Sequence, residues 1–239
     1  DNFRKILHDP TFYQVLGNTL FMTLAALVLC LVLGLLLALL MNRNFFGKGI
    51  VRVLFVSPFF IMPAAAGIMW KTLLLNPSFG YTAYIANLFG TTPVDWLAHH
   101  PLETIIIIVS WLWTPFFMLV LLAGLQSLPP DLVEAAQMDG ANNAQQFRYV
   151  VIPHLLTSIE VVMLGLIFIL QIFADIFVTT NGGPGYASTN LAFLTYRKGF
   201  QSWNVGEATA VGVLTVIITI AFMMLLFTVL RRRFREELS

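Results

Sequence analysis

Long apolar runs separated by short polar stretches divide the chain into five segments. They run from about Asn18 to Met41, Val51 to Leu75, Thr104 to Leu128, Leu155 to Thr179 and Gly206 to Leu230. Each reaches the roughly 20 residues that an α-helix needs to cross a bilayer core. None shows the roughly 10-residue alternation of an outer-membrane barrel strand. Pro58 and Pro63 fall inside the second segment, and proline removes a helical donor, so a bend is expected there. The pattern predicts an all-α integral membrane protein, a polytopic helical bundle filling 1–239 as one transmembrane domain. A polar loop of about 129–153 joins the third and fourth spans, and no soluble domain of useful size lies outside them.

Composition sharpens this. Hydrophobic residues make up 58% of the 239 and charged residues only 10%, against about 25% in a soluble domain. Such a chain can neither bury its apolar surface in water nor stay disordered. A soluble enzyme is excluded. The single cysteine, Cys30, lies within the first apolar run, which leaves no intrachain disulfide or cysteine metal site. The net charge of +1 selects no partner.

The first span is longer than the apolar core of a signal peptide and is followed by Asn42-Arg43-Asn44 rather than a small-residue cleavage pattern, so it is a retained helix. Orientation follows from flanking Lys and Arg. With the 43–52 loop, the 129–153 loop and the tail on one side, that side holds Arg43, Lys48, Arg52, Arg148, Arg231, Arg232, Arg233 and Arg235. The other holds Arg4, Lys5, Lys71, Arg197 and Lys198. The C-terminus is therefore expected in the cytoplasm and Asp1 outside. Five spans with an external Asp1 lead to the expectation of an upstream helix and six or more spans in the intact protein.

The 129–153 loop carries the most specific pattern. Pro129 and Pro130 end the third span, and Asp131 is positioned to cap a new helix. Leu132, Ala135, Ala136 and Met138 follow at near-helical spacing with Glu134 and Asp139, then Gly140 permits a break before Phe147, Tyr149 and Val150. A solvated connector on the membrane surface is one reading, but such a helix is normally rich in Lys and Arg. This one is acidic with a small-residue face, which suits docking into a protein cleft.

Glu134-Ala135-Ala136, three residues, Gly140, nine residues, then Val150-x-Ile152-Pro153 resembles the EAA loop of ABC importer permeases. The family pattern is E-A-A-x3-G-x9-I-x-L-P, and Val150 and Ile152 are aliphatic exchanges within it. Thr180-Asn181-Gly182-Gly183-Pro184-Gly185, with Ser188-Thr189, Tyr196 and Phe200, resembles the loop of carbohydrate-uptake permeases, in particular the first-named permease of maltose-type and glycerol-phosphate-type importers. An ordinary tight extracellular turn is the alternative account of those glycines. The resemblance covers the chain from Asn18 to Arg233. It implies a type I importer permease in a bacterial cell inner membrane, with Glu134, Ala135, Ala136, Asp139 and Gly140 forming a coupling helix in a groove of an ATPase. The implied partners are a homologous second permease, a homodimeric cytoplasmic ATPase, an extracytoplasmic solute-binding protein, membrane lipid and a carbohydrate-like solute. No cofactor belongs to this chain, which lacks a P-loop; ATP and Mg would reside in the ATPase. A permease for an amino acid or peptide, or a secondary transporter in which the loop pattern is accidental, are the rival readings.

His99-His100 with Glu103 lacks a second half-site of zinc spacing. His154 is an interfacial polar residue, and the arginines at 231–235 form a topology anchor rather than a nucleic-acid patch. Charges within a span cost about 2.5–3.5 kcal/mol on insertion scales and usually face an interior or an aqueous path. Glu160 and Asp175 both lie in the fourth span. Glu160 is assigned to pairing near the interface. Gln171 stands one turn before Asp175, which would place both on one face, as helix–helix glue or as pathway lining. Trp113 lies deep in the third span near Phe116 and Pro115. Aromatic faces beside amides suit the C–H faces of sugars. By resemblance, Leu112, Trp113, Phe116, Gly165 and Ile169 occupy the sugar-path positions. The chain departs from maltose-type members at Gly165 and Ile169, which offer no hydrogen bonds.

Overall fold

The computed structural model describes residues 1–156 and 159–237, with side chains over 1–155 and 163–228. Among the described residues it is helical, without strands. A short helix α1 (Asn2–His8) meets the long α2 (Pro10–Asn42) at Asp9. The Asp9 carboxylate accepts from the Thr11 amide at 2.9 Å, and Pro10 occupies the first helical position, where its missing N–H costs nothing. That start signal carries the first span back to Pro10, well before Asn18.

The second span is broken. Helix α3 (Lys48–Val56) passes into a 3-10 turn (Ser57–Phe60), and α4 (Pro63–Met69) continues through a π turn (Trp70–Leu74), the halves meeting at 100°. Met62 is extended (ψ 130°), as the residue before a proline prefers, so the expected bend is a sharp corner. Two short helices, α5 (Tyr81–Leu88) and α6 (Trp96–His99), precede α7 (Pro101–Gln126), which runs through Pro115 unbroken.

The 129–153 loop contains α8 (Pro130–Met138) and α9 (Asn143–Gln146), then a π turn (Phe147–Val151) leading into α10 (Ile152–Leu156). The fourth span consists of α11 (Ile159–Leu170) and α12 (Ala174–Val178). Helix α13 (Leu191–Tyr196) and a π turn (Arg197–Gln201) lead to α14 (Val205–Glu237). Among the described residues three uninterrupted helices, α2, α7 and α14 as far as Thr228, are long and apolar enough to cross a membrane.

The central core is the seam between α2 and α7. Met22, Ala26 and Cys30 meet Ile105, Val109 and Phe117, joined by Leu166, Ile169, Ile176 and Phe193. Gly34 makes the seam close: a Cβ there would stand 3.0 Å from the Met118 amide nitrogen and the Phe117 Cβ. A second cluster joins α1 and the start of α2 to α13 and α14 through Ile6, Phe12, Val15, Leu191, Leu194 and Val211. Its rim is clasped by Lys198, which lies 2.8 Å from Glu207 and 3.8 Å from Asp9. The Glu207 hydrogen bond holds the Lys198 ammonium above its ordinary range.

Candidate functional site: the loop helix and the aromatic face

Helix α8 owes its shape to caps rather than burial. Pro129 is extended and Pro130 opens the helix, so Asp131 lies in the first turn and is not the N-cap expected from sequence. Its carboxylate there still favours the positive helix end. At the other end Gly140 adopts φ +81°, a conformation that costs a residue with a Cβ, and nothing surrounds it. The Gly140 amide donates to Gln137 O at 3.0 Å and the Ala141 amide to Ala136 O at 2.9 Å, a Schellman closure. Two residues on, the Asn142 and Gln145 side chains each accept from the other's backbone amide, at 2.9 and 2.8 Å, restarting the chain as a capping box.

No residue of α8 is buried. Leu132, Ala135 and Asp139 are exposed and Ala136 half-buried, at the three-and-four spacing that defines one helix face. Glu134 and Met138 are exposed one turn apart, Met138 at 89%. A rigid, small-residue ridge with apolar ends is thus held clear of the bundle. At the membrane end of the loop, Ser127 Oγ and His154 Nε2 lie 3.1 Å apart, tying the end of the third span to the start of the fourth.

The second candidate surface is aromatic. Trp113 stacks on Phe168, with ring centroids 5.3 Å apart, and meets Phe116 edge-on at 5.9 Å. Phe59, from the corner of the second span, touches Trp113 at 5.8 Å and lies nearly parallel to Phe116 at 6.0 Å. Leu164, Phe168 and Gln171 are exposed at spacings of four and three, so the Gln171 amide follows the exposed edge of this cluster.

Residues 30–236 match the family described as "Binding-protein-dependent transport system inner membrane component". The chain belongs to that family. This permease is 40% identical over 222 residues to the probable ABC transporter permease protein y4oQ of Sinorhizobium fredii, covering 92% of this chain and 72% of that one. It is 32% identical over 240 residues to the trehalose/maltose transport system permease protein MalF of Thermococcus litoralis, covering 99% and 80%. Among solved structures it superposes on a bacterial alginate ABC transporter in complex with an alginate pentasaccharide-bound periplasmic protein. The TM-score is 0.81 at 25% identity, covering 94% of this chain and 80% of the other.

In this permease the sequence-derived path residues divide. Trp113 and Phe116 come together at the aromatic face, with Phe59 and Phe168 added. Sequence reasoning missed those two, because Phe59 arrives through the corner of the second span and Phe168 through the register of the fourth. Leu112 is buried against Ala66 and Ile108. Gly165 is covered by the Phe117 ring and Ile169 is fully buried, so both pack the core. Gln171 and Asp175 do not share a face. The helix ends at Leu170, where the Gln171 and Ile172 amides fall back to three-residue hydrogen bonds, and Phe173 leaves helical geometry (φ −129°). Gln171 is exposed, whereas Asp175 is buried with its Oδ1 unpartnered. The Glu160 side chain lies outside the described residues.

The Gly182–Gly185 segment is more than a tight turn. Asn181, Gly182 and Gly185 all have positive φ, and a Cβ at Gly182 would lie 2.5 Å from Thr189 Oγ1. Thr189 donates to Gly182 O at 2.9 Å, and Ser188 Oγ lies 3.0 Å from Gly183 O and 2.7 Å from Thr180 Oγ1. The Asn18 amide donates into the same loop, to Tyr186 O at 2.8 Å. Arg197 caps it by donating to Gly185 O at 2.9 Å with its guanidinium over Tyr186. The network ties the loop to α2 through Asn18 and to the turn after α13 through Arg197.

Proposed function

We propose that this chain is the translocation subunit of an ATP-driven importer for a sugar, polyol or sugar derivative. It works with a homologous permease, two copies of a cytoplasmic ATPase and an external solute-binding protein. ATP and Mg²⁺ belong to the ATPase, and α8 is the coupling helix. The observation that carries this is α8 itself, a capped helix bearing Glu134-Ala135-Ala136 and ending at Gly140, with no buried residue. Exposed Leu132 and Met138 at its ends suit a protein groove, and the exposed carboxylates of Glu134 and Asp139 suit a basic rim. Movement of the ATPase dimer would reach the membrane through the π turn and α10, where His154 and Ser127 meet. The sugar assignment draws on the names of the relatives and on the aromatic face, whose open rings suit apolar sugar faces while Gln171 offers an amide. In this reading Glu134, Ala135, Ala136, Asp139 and Gly140 couple hydrolysis to transport. Trp113, Phe116, Phe59, Phe168 and Gln171 line the path.

The test uses Glu134→Lys and Gly140→Val in the assembled transporter. Lysine reverses the charge offered to a groove, and valine opposes the left-handed turn that ends α8. Both variants should insert normally yet lose about 1–3 kcal/mol of coupling, roughly 5–150-fold. The measurement is binding-protein-stimulated ATP hydrolysis and solute uptake in liposomes, against a panel of sugars. Full stimulation and uptake in both variants would remove α8 from the coupling role.

A further inference from the structure

The loop between the second and third spans contains a helix built inside out. In α5 the residues turned toward the protein are small: Ala83 is buried, and Thr82 and Ala86 are half-buried. The opposite face carries Tyr81, Tyr84, Ile85 and Leu88, at spacings of three and four, all exposed. Phe79 and Phe89 flank them, and exposure reaches 65% at Tyr84, 69% at Leu88 and 76% at Phe89. No Asp, Glu, Lys or Arg occurs from Thr72 to Val94. In water this is a contiguous apolar patch that a soluble surface rarely carries.

The helix is also fixed in place. Asn76 Oδ1 accepts from the Ser78 and Phe79 amides at 2.9 and 3.3 Å, turning the chain straight after the π turn. Thr82 Oγ1 donates back to Leu74 O at 2.8 Å, and a Cβ at Gly80 would stand 2.5 Å from Asn76 O. The apolar face is therefore held at the end of one membrane segment, and the loop returns to the membrane at Pro101.

We infer that α5 is an interfacial anchor, with Tyr84, Ile85, Leu88 and Phe89 seated at the headgroup–acyl boundary of the bilayer. Tyrosines at 81 and 84 suit that boundary, where a ring lies in hydrocarbon and its hydroxyl meets water. Unlike α8, this helix carries a continuous aromatic and aliphatic face and is tied to a membrane segment. Apolar area therefore holds it in place of the Lys and Arg of a free surface helix, and the contact does not require anionic lipid. A binding protein is a poorer occupant, because it leaves between encounters and would return this patch to water. The anchor fixes the outer half of the cornered second span, whose Gly67 packs against Val178 and Thr179. That the boundary belongs to the outer leaflet rests on the orientation expected from the basic residues; the interfacial depth does not.

The test places nitroxide labels on Tyr84→Cys and Leu88→Cys, with Thr91→Cys as the loop control. A Cys30→Ala background is used, and the full transporter is reconstituted in vesicles of zwitterionic lipid. Positions 84 and 88 are exposed, so the substitutions leave no cavity. Collision with oxygen should exceed collision with a nickel chelate at 84 and 88, with the order reversed at 91. Adding binding protein should leave that pattern unchanged. Aqueous accessibility at all three positions would overturn the anchor, as would protection at 84 and 88 that develops only when binding protein is added.

Discussion

Trp113 presents one face to Phe168 and an edge to Phe59 and Phe116, so removing it opens the aromatic face on three sides. If that face meets the solute, Trp113→Ala and Gln171→Ala should lower uptake more than they lower assembly or basal ATP hydrolysis. Gln171 is the sharper probe, since an exposed amide contributes little to packing. Counter-flow uptake and complex yield, measured on the same preparations, distinguish a lost contact from a lost fold. Asp175→Asn is the paired control. It exchanges a buried carboxylate with an unpartnered oxygen for a neutral group of similar shape, and a neutral solute should be carried as before. The aromatic character of this face was legible in the sequence, because Trp113 is too deep for an interfacial belt. Its true membership was not, since Phe59 and Phe168 reach it only through the corner of the second span and the register of the fourth.

The broken fourth span belongs to the scale of elements. A hydropathy run cannot register a break at 171–173, because Gln171, Ile172 and Phe173 interrupt neither its length nor its apolar character. Prolines at 58 and 63 did mark the corner of the second span, since a missing donor is written in the residue type. What makes the fourth break tolerable is remote: buried Asn190 donates through Nδ2 to Ile172 O at 2.5 Å and accepts the Phe193 amide at 2.8 Å. One side chain therefore satisfies a carbonyl released by the break and caps α13. Asn190→Leu should strand both groups in an apolar setting, at about 1–3 kcal/mol for each buried group left unpaired. Thermal unfolding of the detergent-solubilised complex should show a lower midpoint. An unchanged midpoint would mean that another donor serves Ile172. By contrast α8 was legible almost residue by residue. Proline, small residues and glycine each act locally there, and no tertiary contact overrides them. Only the capping role given to Asp131 failed, because Pro130 already occupies the first helical position.

At the scale of the whole molecule, two of the five apolar segments are broken helices, so topology does not follow from counting them. The corner of 100° in the second segment fits a span turned through its middle, and it equally fits a loop that enters and leaves on one side. The fourth segment poses the same alternative through α11 and α12. The basic residues alone do not separate them: eight Lys and Arg face five when both broken segments cross, and again eight face five when both are re-entrant, Lys71 taking the place of Arg148. The coupling role proposed for α8 does separate them, since it needs α8 on the same side as Arg231–Arg233 in the last turns of α14, which holds when both segments cross. Reporters whose activity depends on the compartment should therefore be external when inserted at Thr91 or Gly185 and cytoplasmic when fused after Arg235. Only α14 separates Gly185 from the tail, and only α7 separates Thr91 from α8. If the Gly185 and Arg235 reporters share one side, α14 does not cross. If Thr91 and Gly185 fall on opposite sides, one of α7 and the fourth segment fails to cross, and because α7 is continuous the fourth segment would be a re-entrant loop. A shared external position for both fixes α8 and the tail on one face, where a single ATPase could reach them.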